Sequence, residues 1–166
     1  MATHKSVDLR HLGGMHFTGA PSSGYPIDFD DRESGQGGSP VETILAALGS
    51  CSAMDVISIA TKKRQAIEAY EIHVTGSQRD EYPQVFTEID VVHEVTGVGV
   101  AEAAIRRAIE LSATKYCPVN AMVSAGATVV HHRYVIHSTG PAPFEASGEV
   151  VATGPYARPD VLADQR

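Results

Sequence analysis

Two residues in this chain carry the chemistry of a redox centre, Cys51 and Cys117, the only cysteines among 166 residues. A thiol attacks electrophiles as its thiolate, and two thiols brought together can be oxidised to a disulfide. The ordinary role of a free cysteine is that of a small buried hydrophobe, so its surroundings must argue for more. Cys117 precedes Pro118, and proline is tolerated at the first position of a helix. Cys117 would then cap that helix, with its sulfur at the positive end where a thiolate is stabilised. Cys51 lies in an apolar stretch with Asp55 four residues on and on the same helical face, so the carboxylate repels a thiolate there. A reactive Cys51 therefore requires a cation brought from elsewhere. Arg32, in the polar Gly-rich segment 30–38, is the leading candidate and Arg10 the alternative, although most arginines are simply solvated surface residues. On local grounds Cys117 is the better activated of the pair.

Glu42 is the acid nearest to Cys51 on its N-terminal side. Nine residues on one straight helix amount to about 13 Å of rise and roughly half a turn out of phase. It therefore cannot touch the Cys51 of its own chain. Either it caps the helix, because Ser39-Pro40-Val41-Glu42 has the form of a capping box with proline at the first turn, or it acts through an arginine or across a dimer.

These residues need elements to hold them. Residues 5–29 read as three short strands separated by Gly13-Gly14 and Pro21-Ser22-Ser23-Gly24. A helix starts at Ser39-Pro40 and runs through the apolar stretch Ile44 to Ala60 towards Lys62-Lys63-Arg64. That stretch contains Asp55, three serines and a glycine, so it reads as a buried helix and a poor membrane span. Alternation at Tyr70, Ile72 and Val74 and again at Val85, Thr87, Ile89 and Val91 predicts two longer strands as a hairpin. Residues 98–116 have amphipathic helical periodicity, and a strand follows at 127–137. Residues 139–166 read as a loosely ordered tail, with one short strand at 148–153. The order argues for an α+β fold with an antiparallel sheet of about six strands, one domain over residues 1–138 and the tail beyond. Such a sheet covers one side of a helix as apolar as 44–60, so a homodimer is expected to cover the other.

Composition narrows the partners. Net charge is −7, and the 13 Lys and Arg residues are scattered, which argues against nucleic acid. The first twelve residues do not read as a secretory signal, so a cytoplasmic location is expected, where paired cysteines are more often catalytic or redox-sensing than structural. The eight histidines form no spacing typical of zinc ligation. His131 and His132 would point to opposite faces of a strand, and His93 and His132 share faces with apolar residues, as satisfied core histidines do. Neither a metal nor a cofactor is expected.

Two segments, SPVETILAALGSCSAMDVISI at 39–59 and AIELSATKYCPVNAMVSAGATV at 108–129, resemble the OsmC/Ohr superfamily of peroxide-related thiol proteins, and the order of elements from residue 5 to about 137 agrees. The resemblance implies an intertwined homodimer with the two long helices at its centre and thiol sites at the subunit interface. It further implies that Cys51 attacks an organic hydroperoxide, that Cys117 resolves the sulfenic acid, and that a dithiol such as protein-bound lipoamide reduces the resulting disulfide. The family's peroxidases carry a catalytic Glu ten residues before the first cysteine. Here Val41 stands in that place and Glu42 follows it. With SAMDV and GMHFTG, this resembles a less characterised OsmC-like branch more closely than the dedicated peroxidases.

Overall fold

The computed structural model describes residues 4–31, 33 and 35–152. The chain divides into two compact units, Met1–Ile44 and Leu45–Arg166. The first holds the expected meander: β1 (Val7–Gly13), β2 (His16–Pro21) and β3 (Ile27–Phe29) pair in sequence as an antiparallel three-stranded sheet. Gly13 and Gly14 have positive φ, which is why the β1–β2 turn takes two glycines.

Helix α1 (Pro40–Lys62) begins at the predicted proline and ends where Arg64 turns left-handed at φ 57°, with the amide of Gln65 bonded back to the Ala60 carbonyl. The second unit continues with β4 (Ala66–Gln78) and β5 (Phe86–Val98), the predicted hairpin. Then come α2 (Glu102–Leu111), a π-helical turn over Ser112–Tyr116, the short α3 (Pro118–Val123), β6 (Val129–Thr139) and β7 (Phe144–Ala152).

Three expectations change. The strands form two sheets rather than one, and the second, in order β4-β5-β6-β7, is not wholly antiparallel, because β6 lies parallel to β5. The helices α2 and α3 provide the crossover that a parallel pair requires. The sheet also extends beyond residue 138: β7 pairs with β6 along its whole length, starting earlier than the short strand read at 148–153. Gly148 faces Tyr134 across that pair, and a Cβ at 148 would stand 2.3 Å from the Tyr134 hydroxyl. The missing side chain at Gly148 is therefore what makes room for a buried ring. Residues 153–166 lie outside those described.

In the second unit, the inward faces of β5 and β6 supply Ile89, Val91, Val95, Val130 and Ile136, and α2 adds Ile105, Ala108 and Ile109, all fully buried. From α1, Leu48, Val56 and Ala60 join them. Gly49 permits the close approach, since a Cβ there would stand 2.7 Å from a methyl of Val74. A single chain does not cover α1 all round as expected: Met54 is 73% exposed and Ile57 37%. By length and composition alone α1 is apolar enough to cross a membrane. Its inner face is instead packed into the core of the second unit, with Ser52 fully buried there.

Candidate thiol site

The α1 helix and the turn before α3 bring the two cysteines together. Cys117 Sγ donates to Cys51 Sγ at 2.8 Å, and both are free thiols, Cys117 buried and Cys51 half-buried. Local rules explain the placement of Cys117. The residue before a proline is pushed out of the helical region, and Cys117 has φ −73° and ψ 104°. Its amide closes the π-helical turn on the Ser112 carbonyl, and its sulfur accepts from the amide of Asn120 at 3.3 Å. Cys117 is thus the cap that the sequence predicts.

Its ionisation runs opposite to the prediction. Burial pushes the Cys117 thiol up to about 12, and the bond to Cys51 adds to the rise, outweighing the amides of Asn120 and Val119 that favour the thiolate. A six-residue helix offers two amides, and desolvation of a buried anion exceeds what they return. Cys117 is therefore a protonated donor at neutral pH, with its hydrogen aimed at Cys51.

Asp55 completes a cluster in which one donor atom each from Cys51, Asp55 and Cys117 lies within 4.8 Å of the others. Its Oδ2 accepts from Ser112 Oγ at 3.0 Å, and Ser112 Oγ, its one hydrogen used there, accepts from the Ser52 hydroxyl at 3.3 Å. Asp55 is held to the start of the π-helical turn rather than left facing the thiols alone. Two thiols and a carboxylate could hold a soft divalent ion, and they are the group among the described residues with that capacity. Two clefts of about 390 Å³ each open around this cluster. One is lined by Cys117, Pro118, Ala121 and Met122, and the other by Asp55, Ile59, Lys62 and Lys63, with Tyr116 bordering both.

Glu42 lies exposed on the first turn of α1, and Arg10 is exposed on β1. Arg32 lies outside the described residues.

Residues 33–132 match the family described as OsmC-like protein. The chain belongs to the OsmC-like family. Protein YhfA of Escherichia coli K12 is 39% identical over 128 residues, which cover 77% of this chain and 96% of that protein. A crystal structure of a hypothetical protein from Aquifex aeolicus superposes with a TM-score of 0.75 at 29% identity, covering 84% of this chain and all of that one. An organic hydroperoxide resistance protein, OsmC, from Legionella pneumophila shares the fold at a TM-score of 0.57 and 14% identity, over 82% of this chain and 98% of that one. The matched segment of this OsmC-like chain contains both cysteines, Asp55 and Asn120.

Beneath the thiols, His93 and His132 are core histidines as the sequence predicts, and both are fully buried. Burial drives His93 down to about 3, with help from its neighbour His132, and His132 down to about 4, with help from His131. Both are neutral in the folded chain, whereas in the unfolded chain each binds a proton near pH 6.5. Stability is therefore unaffected above about pH 6.5 and is lost as the pH falls from there towards their folded values. Urea unfolding is expected to give a clearly lower midpoint at about pH 5 than at about pH 7, with a shallower decline in His132→Gln. Equal slopes in the two proteins would show that His132 does not titrate this way.

Proposed function

We propose that the chain is a thiol peroxidase that reduces organic hydroperoxides in oxidative stress defence. The observation that supports it is the 2.8 Å contact in which a protonated Cys117 faces Cys51. Cys51 thiolate attacks the distal peroxide oxygen, the O–O bond breaks, and the departing alkoxide takes a proton to leave as the alcohol; Cys51 becomes a sulfenic acid. Cys117 sulfur then attacks that sulfenic sulfur, and hydroxide leaves as water with the Cys117 proton, giving a disulfide. A dithiol, such as protein-bound lipoamide, reduces it and carries the two electrons away as its own disulfide. Arg32 or Arg10 supplies the cation for Cys51, with Glu42 orienting it, in a homodimer that covers Met54 and Ile57 of α1 in the cytoplasm.

Cumene hydroperoxide consumption with dihydrolipoamide tests this, together with molecular mass by light scattering. Turnover far above that of free cysteine, from a dimer, is the expected result. Rates no greater than those of free cysteine would overturn the peroxidase assignment, and a monomer would overturn the dimer. Val41, in place of the glutamate of the family's peroxidases, favours a second reading. In it the dimer senses redox state or holds a small apolar ligand without turnover, and ligand retained through purification would accompany the slow rates.

A further inference from the structure

A chain of hydrogen bonds runs from Tyr70 on β4 to the cap of Cys117, and none of its members was singled out as part of the thiol site by sequence. Tyr70 Oη meets His93 Nδ1 at 2.6 Å, His93 Nε2 meets His132 Nδ1 at 3.2 Å, and His132 Nε2 meets Asn120 Oδ1 at 3.0 Å. Asn120 Nδ2 then donates to the Ala113 carbonyl at 2.8 Å. The two imidazole centroids are 5.5 Å apart with planes inclined by 27°, so the rings meet edge to edge through their nitrogens.

The chemistry of the last bond orients all the others. Ala113 O can only accept, so the Asn120 amide nitrogen faces it and Oδ1 faces His132. His132 must then donate from Nε2 and accept at Nδ1, and His93 must donate from Nε2 and accept at Nδ1. Tyr70 is left as the donor. Each neutral imidazole has one donor and one acceptor, and both are used. Burial of the two rings as neutral species is what this requires.

The chain ends on the residue whose backbone N–H points at the sulfur of Cys117. Asn120 is itself buried, and its carbonyl accepts from Ser124. Its side chain ties the six-residue α3 on one side to the π-helical turn through Ala113, and on the other to the strands through His132. An isolated helix of that length has little stability of its own. Its register against Cys117 depends on such ties.

We propose that Tyr70, His93, His132 and Asn120 form a one-way relay of positioning residues that holds the Asn120 N–H on Cys117 Sγ and thereby promotes attack by Cys117 on an oxidised Cys51. Cys117 must give up its proton before its sulfur can attack, and a fixed N–H placed in advance stabilises the thiolate that forms without reorganisation. The reaction at Cys51 that precedes it does not draw on the relay. This inference deepens the proposed function at its resolving step and rests on that reading for its physiological meaning.

Reaction of the reduced full-length protein with 5,5′-dithiobis(2-nitrobenzoate) separates the two steps without peroxide. Cys51 thiolate displaces one thionitrobenzoate anion and forms a mixed disulfide, and Cys117 then attacks Cys51 sulfur, releasing the second anion and a proton as the disulfide closes. In His132→Leu the second release is expected to slow roughly tenfold, the scale of one lost buried hydrogen bond, with the first unchanged. Tyr70→Phe, which removes a single oxygen at the far end, should slow it by a smaller factor. His132→Gln, which keeps a donor towards Asn120, should recover part of the loss. A second release as fast as wild type in both His132→Leu and Tyr70→Phe would overturn the proposal, as would equal slowing of both releases. If His132→Leu does not fold, Tyr70→Phe alone decides. A protein with these kinetics that consumes no hydroperoxide would refute the peroxidase assignment and leave the relay standing.

Discussion

Cys51→Ser is expected to lose hydroperoxide turnover altogether, a fall to the uncatalysed background that amounts to about a thousandfold or more. A serine hydroxyl is a far weaker nucleophile towards peroxide oxygen and has no sulfenic state to pass on. Cys117→Ser should behave differently. It keeps the attacking sulfur, so it should consume about one equivalent of hydroperoxide per site and then stall as a sulfenic acid, which a dimedone adduct on Cys51 would reveal by mass. Two features support this division of labour: Cys117 is held as a thiol by burial, and it donates its hydrogen to Cys51. Undiminished turnover in Cys51→Ser would end the proposal, and turnover intact in Cys117→Ser would remove Cys117 from the cycle.

The largest effect on stability is expected at Ile105. It is fully buried on α2, which packs on β6 and β7, among Val95, Val100, Tyr134, Ile136 and Val150. Ile105→Ala removes three carbons from this core and leaves a cavity whose rim is fixed. Tyr134, pinned by its bond to Glu102 at 2.8 Å, cannot swing in to fill it. A loss of about 2–5 kcal/mol is expected, read as the shift in the urea midpoint with the slope unchanged. Ile105→Val should lose only about 0.5–1.5 kcal/mol. A shift for Ile105→Ala no larger than that of Ile105→Val would mean the core collapses freely around the site.

Local chemistry made much of this molecule legible. Pro40 and the apolar run after it announce α1, the alternation around Tyr70 and Ile89 announces the hairpin, and Cys117-Pro118 announces a cap. Each is a rule acting over a few residues, in which backbone sterics or side-chain period is decisive. What failed depended on distant neighbours. The strand at 144–152 is read in sequence only from Gly148 onwards, and the purpose of that glycine exists only once Tyr134 lies opposite it. The parallel pairing of β5 and β6 depends on how the crossover packs, which periodicity does not record.

The same boundary runs through the thiol site. Sequence by itself determined that two cysteines were available, that Cys117 would cap a helix and that Asp55 would share a helical face with Cys51. Tertiary structure decided that the sulfurs meet, because that contact joins residues 66 positions apart. It also decided that Cys117 keeps its proton. The helix-end attraction is a local term visible in Pro118, whereas the desolvation that overrides it comes from elements packed around Cys117 from elsewhere in the chain. The four relay residues follow the same logic: Tyr70, His93, Asn120 and His132 come from four elements, and only the folded core gives their donors and acceptors a single direction.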